Sequence, residues 1–232
     1  MVIAHYLAVT QAEIALGALP ECLGYLGCHF GEYGLRGLPD TLPQKSILIV
    51  DDRVPMAGQS PQRILSQLRE CFDSLHFVGL LLDFQQPGNE AQRALTLLLS
   101  QKLPVPVAVS PAYACPECRV FLPPVPPNQT LSQALAPWAG RKIWLDTSVS
   151  ALQLTLTTAG CRETALPRPT APGKFTDPEL CCRYSILETP EGVQFTLFRD
   201  IGCIQAMLEK AEPLGVELAM GLWQELGEQT ES

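Results

Sequence analysis

Two side chains able to do chemistry, Asp83 and Gln85, stand where an unbroken apolar run stops, in the stretch FVGLLLDFQQPGN at 77–89. A parallel strand buried on both faces reads this way. Ligands gather at the carboxyl edge of such strands, because the loops leaving it are free to carry polar groups. A carboxylate there accepts hydrogen bonds or moves a proton, whereas an amide donates and accepts hydrogen bonds but has no useful pKa. Comparable runs end in Asp51 and Asp52 (SILIVDD), in Ser110 with Tyr113 just beyond it (VPVAVS), in Asp146 (KIWLDT) and in Trp223 (VELAMGLW). Brought to one rim, the acids, the amide and the hydroxyls would hydrogen-bond a sugar, and the indole would give it a stacking surface. Each residue also has a structural fate. Asp83 can cap the following helix, Gln85 and Gln86 can form a solvated turn, and Trp223 can be core. Of Asp51 and Asp52, consecutive in a strand, one must point away from the other, which disfavours a metal pair and favours a salt bridge or a helix cap.

The elements that must position these groups follow from hydrophobic period and turn signals. Strands are expected at 2–9, 24–30, 46–52, 77–84, 105–110, 119–122, 142–147 and 216–223. Helices are expected from Gln11 to Leu19, ended by Pro20, and after Ser60-Pro61, with Ile64, Leu65, Leu68, Cys71, Phe72 and Leu75 on one face. Others follow from an Asn89 cap with Ala91, Ala94, Leu95 and Leu98 in register, near 130–138, and over 200–211 with Ile201, Ile204 and Leu208 inward. GEYGLRGLPDTLPQ has no usable period and reads as a loop, as does the Pro-rich 167–178, while 148–161 fits either a helix or a strand. Alternation on either side of Pro190-Glu191-Gly192 predicts a hairpin. Strands alternating with helices imply parallel pairing. About eight of them suit one α/β domain over 1–232, a compact (β/α)8 TIM-type barrel with a small β-hairpin insertion at about 181–198, before the last helix and strand.

Composition narrows the partners. Over 232 residues a net charge of -8, with the 16 Lys and Arg scattered, argues against nucleic acid or an anionic membrane surface, either of which would require a basic patch. No run of about 18 uncharged apolar residues suggests a membrane span, and the apolar start lacks a basic leader and carries Glu13. Nine cysteines, an odd number spread through apolar elements, read as reduced, packed thiols of a cytoplasmic protein. No cofactor is expected: there is no G-x-S-x-G, GxGxxG or P-loop, and His5, His29 and His76 are dispersed.

The run VGLLLDFQ resembles the DGxDxDxE signature strand of glycoside hydrolase family 18, the chitinase-like barrels, with Asp83 at the last acid and Gln85 at the proton donor. FRDIGCIQAMLEKAEPLGVELAMGLW is similar to the family's closing unit, whose final strand bears a Trp in the sugar pocket. The hairpin lies where these barrels carry an insertion after the seventh strand. The resemblance implies a glycan ligand of the N-acetylglucosamine type, with Asp83 and Gln85 on its acetamido group, Tyr113 and Asp146 on hydroxyls and Trp223 beneath the ring. It also implies substrate-assisted hydrolysis, in which a glutamate protonates the glycosidic oxygen. The chain departs from that pattern: Gln85 replaces the glutamate, Val78 and Leu81 replace the earlier acids, and Leu145-Asp146 stands for a Tyr-Asp pair. Binding without family-type cleavage is the expectation, with Asp83 as the catalytic residue if turnover survives, and Glu117 as an acid that could restore it.

Two other readings compete. ILIVDD, LLLDFQQPG and PVAVS look like the acidic and hydroxyl-bearing strands of a receiver domain phosphorylated on Asp83, although only one helix separates Asp52 from Asp83 and the expected Lys is missing. A barrel serving as a scaffold for a protein partner is the other. Cys115-Pro-Glu-Cys118 has the spacing of a zinc half-site that Cys181-Cys182 could complete only with poor geometry, and of a redox pair outside a thioredoxin context.

Overall fold

Alternation of strand and helix does produce a closed parallel sheet. The computed structural model describes residues 3–17, 19–54, 60–85, 89–167, 169 and 172–226. Val2 and residues 86–88, where the sequence leads one to expect a turn, lie outside them. The elements run β1 (Ala4–Val9), α1 (Gln11–Leu16), β2 (Leu23–Gly31), β3 (Gly34–Arg36), β4 (Ile47–Asp51), α2 (Pro61–Leu75), β5 (Gly79–Asp83), α3 (Glu90–Lys102), β6 (Val107–Val109), β7 (Arg119–Leu122), α4 (Leu131–Leu135) and β8 (Ile143–Asp146). They continue with β9 (Ala151–Thr157), β10 (Gly160–Leu166), β11 (Phe175–Asp177), β12 (Cys182–Thr189), β13 (Gly192–Phe198), α5 (Ile201–Glu209), β14 (Val216–Leu222) and α6 (Trp223–Leu226). The sheet order β1-β14-β8-β7-β6-β5-β4-β2, closed by a parallel β1–β2 pairing, is an eight-stranded barrel. It is the TIM-type barrel expected from the sequence. β4 pairs directly with β5 inside this closed sheet, which excludes the open receiver arrangement.

The helical ring is thin. Between β2 and β4 the glycine-rich loop contributes only β3, added antiparallel to β2, and a single 3-10 turn (Pro111–Tyr113) precedes β7. α1 stops at Gly17, whose φ of 85° is left-handed, so it ends before Pro20 is reached. α2 buries Ile64, Leu65, Leu68, Cys71 and Phe72 as its period predicts. Asn89 caps α3 by accepting from Gln92 N, but the buried face is Gln92, Leu95, Thr96 and Leu99. Ala91 and Ala94 are exposed instead, since Leu95 and Leu99, four residues apart, turn inward together with Gln92, which donates to buried Asp52 at 2.8 Å.

The insertion between β8 and α5 is larger than a hairpin. β12 and β13 form the expected hairpin, joined at Thr189↔Gly192, within a five-stranded antiparallel sheet, β10-β9-β13-β12-β11, that also takes in the ambiguous 148–161 and part of the Pro-rich segment. Leu156 of β9, Phe175 of β11 and Ile186 of β12 are exposed, with Phe175 stacked on Tyr184 at 5.3 Å. Arg199, 4% exposed, ties the end of β13 to the β7–α4 loop. It donates to the carbonyls of Val125, Pro126 and Gln129, and to those of Leu180 and Cys181 ahead of β12. A buried guanidinium without a carboxylate is tolerated because carbonyl oxygens occupy its donors.

Candidate functional site

Period two assigns every barrel residue to the inside or the outside of the sheet. Ile47 and Ile49 of β4, Leu81 of β5, Trp144 of β8 and Met220 of β14 share the inner cluster, while Leu48, Val50, Leu80 and Leu82 pack in the outer layer against the helices. The interior is filled, not hollow. Gly79 leaves room for the Trp144 indole: a Cβ at Gly79 would lie 2.6 Å from its Cη2. Continuing the inner rows toward the carboxyl ends puts Asp51, Asp83 and Asp146 at the mouth, with Asp51 and Asp83 directly paired across β4 and β5.

The three acids differ in their surroundings. Asp51 is chelated by the Arg53 guanidinium and also accepts from Arg53 N at 3.0 Å. Burial pushes its pKa up, but those hydrogen bonds and the charges of Arg53 and His29 bring it below the usual carboxylate value. Asp83 has no cationic partner among the described residues. Burial raises its pKa, the Gln85 hydrogen bond opposes this, and the charges of Asp51 and Asp52 add to the rise. Asp146 is raised for the same leading reason, with Asp83 and Glu225 contributing, although Ser148 donates to its Oδ1 through both N (2.7 Å) and Oγ (2.5 Å). A mouth of mutually repelling, partly desolvated carboxylates accepts hydrogen bonds from ligand hydroxyl or amide groups and is able to hold a proton above the usual acid range.

Of the residues singled out in the sequence, Asp83, Gln85 and Asp146 come together at this mouth. Gln85 is exposed, and its Nε2 donates to Asp83 Oδ1 at 2.7 Å. Tyr113 and Trp223 lie on the other side of the sheet. Tyr113 is 3% exposed and meets Phe84 edge-on at 5.0 Å in the outer layer. Trp223 opens α6 and packs against the same outer cluster, while the preceding Leu222 takes the inner position. Asp52, one residue past Asp51, also points outward: fully buried, it accepts from Gln85 N and Gln92 Nε2, both at 2.8 Å. That is the helix-and-loop anchoring its position in the strand allows.

The sequence reading missed His29, Arg53 and Glu225. His29 pairs with Asp51 and so shares its face; a register shift between Leu26 and Cys28 hides this from simple alternation. Arg53 is legible as an i+2 partner of Asp51. Glu225, whose Oε2 accepts from Val149 N at 2.7 Å, depends on the chain turning into α6 and has no local signal. Among the described residues no group of three or more His, Cys, Asp or Glu side chains could hold a metal ion, and no helix is long and apolar enough to cross a membrane.

No family model matches the chain, and no curated protein matches it. Solved structures do. A family 18 N-acetylglucosaminidase from Paenibacillus barengoltzii is similar with a TM-score of 0.62 at 10% identity, over 94% of each chain. A chitinase from Chromobacterium violaceum ATCC 12472 gives 0.58 at 9% identity, over 97% of this chain and 95% of that one. A chitinase-like agglutinin from Robinia pseudoacacia gives 0.57 at 10% identity, over 93% of each. At this identity the likeness is one of fold, and the barrel resembles those of glycoside hydrolase family 18 chitinases and their lectin-like kin.

Proposed function

We propose that the barrel mouth binds an N-acetylglucosamine-type glycan and does not cleave it by the family's acid-assisted route. The observation that carries this is Gln85 at the carboxyl end of β5, its carboxamide exposed and donating to Asp83. An amide at the proton-donor position has no proton to give at a useful pKa, yet with Asp83 it presents a donor and an acceptor suited to an acetamido group. Asp146 supplies acceptors for hydroxyls from three strands further round the barrel. Fold likeness both to chitinases and to a chitinase-like agglutinin supports a binding reading of this barrel.

Calorimetric titration with N-acetylglucosamine oligomers, beside a fluorogenic chito-oligosaccharide hydrolysis assay, tests it on wild type, Asp83→Ala and Gln85→Glu. Wild type should bind without turnover and Asp83→Ala should lose at least about tenfold in affinity, the worth of one good charged hydrogen bond. Gln85→Glu should be the variant in which hydrolysis emerges. Absence of saturable binding in all three would end the glycan reading.

A further inference from the structure

The mouth does not use Cys115 or Cys118, yet one turn holds both, with Cys115 Sγ 3.5 Å from Ser100 Oγ. They flank Pro116 and Glu117 in a turn closed by Cys118 N donating to Cys115 O at 3.3 Å, with proline fixing φ at the second position. A turn of this kind holds its end Cα atoms within about 7 Å, inside the span a disulfide needs. Cys118 Sγ lies over the Cys115 backbone: it accepts from Cys115 N at 3.0 Å and its thiol donates to Cys115 O at 3.1 Å. Arg141 Nη2 then clamps the turn from outside, donating to Cys115 O at 2.6 Å and to Cys118 O at 3.2 Å.

We propose that Cys115 and Cys118 are a modification site, a dithiol that a low-molecular-weight disulfide of the glutathione class oxidises to an intramolecular disulfide. Cys115 is only partly buried whereas Cys118 is buried, so the order of events follows from access. The Cys115 thiolate attacks one sulfur of the disulfide, forming a mixed disulfide and expelling one thiolate. Cys118 loses its proton to water and attacks Cys115 Sγ, expelling the second. Two protein thiols thus lose two protons and two electrons, and one disulfide becomes two thiols. Burial keeps Cys118 from an external disulfide and holds its thiol up at about 11, so Cys118 is the resolving partner rather than the attacking one. Closure strands no buried acceptor: Cys115 O gives up the Cys118 thiol proton but keeps Cys118 N and Arg141.

The tryptic peptide at 103–119 carries these two cysteines and no other, so one peptide reports the reaction. The full chain is equilibrated across ratios of reduced to oxidised glutathione, quenched in acid, alkylated and mapped. Expected is a doubly alkylated peptide in reducing buffer, passing to an unalkylated form lighter by two hydrogen atoms, whereas exposed Cys161 gains only a glutathione adduct. Cys118→Ser should stop at the glutathione adduct on Cys115, Cys115→Ser should leave Cys118 unmodified in the native chain, and Arg141→Gln should slow closure several-fold. A peptide that stays doubly alkylated at every ratio, or oxidation appearing first at Cys181 and Cys182, would overturn the proposal.

Discussion

The outer layer and the mouth of the barrel are built from alternate residues of the same strands, and they treat polar groups in opposite ways. Outside, Asp52 is fully buried and its hydrogen bonds hold Gln85 N and the Gln92 side chain, while Phe84 joins Phe30 and Tyr113 in an aromatic cluster with centroids 5.9 and 5.0 Å apart. Inside, Asp51 and Asp83 end apolar rows that pack over Trp144, and their carboxylates repel one another. Adjacent residues of like chemistry are therefore structural on one side and available to a ligand on the other. The type of a residue sets its chemistry, but its parity in the strand decides whether that chemistry is free.

Phe84 against Asp83 is the sharpest test of this division. Phe84→Ala removes a ring that is 5% exposed and should cost about 3–5 kcal/mol in urea denaturation. Asp83→Ala, next along the chain, should stay within about 1 kcal/mol. Comparable losses at both positions would mean that the mouth is as much a part of the folding core as the outer layer.

The two neighbouring aspartates of β4 and its loop come next. Asp52→Ala leaves the buried Gln92 amide unpaired and releases the part-buried Gln85 N, and should cost about 2–3 kcal/mol. Asp51→Ala removes a pair whose Arg53 side chain is 58% exposed, and such pairs are worth about 0.2–1 kcal/mol. A loss at Asp51 equal to that at Asp52 would break the comparison.

Much of the architecture was legible because it rests on period. Eight apolar runs gave the barrel strands to within a few residues, and Asp83 with Asp146 ended two of them on the inner face. What local reading could not supply was parity at the irregular places. Tyr113 follows β6 through a 3-10 turn that carries its ring outward onto Phe84, and Trp223 lies one residue beyond the inner Leu222. The register shift at β2 concealed His29 in the same way. Of the inserted sheet only the β12–β13 hairpin was legible, 148–161 fitting either a helix or a strand, since β10 is exposed along nearly its whole length and carries no apolar alternation to find.

The smallest effect expected is also the one that reads the mouth most directly. Asp83 has its pKa raised in the folded chain, by burial first and then by Asp51 and Asp52, from an ordinary value of 3.8. A carboxyl raised in this way binds its proton more readily when folded than when unfolded, so it weakens the fold at neutral pH and ceases to do so as pH falls through the raised value toward 3.8. Asp83→Asn keeps an oxygen for Gln85 Nε2 and removes the charge. The variant should therefore melt above wild type at pH 7, and the advantage should shrink on acidification and vanish below about pH 3.8. Melting followed from pH 7 to pH 3 by circular dichroism measures the difference. A gain that did not depend on pH would place the effect in packing rather than in charge, and would remove the electrostatic distinction between the mouth and the layer around it.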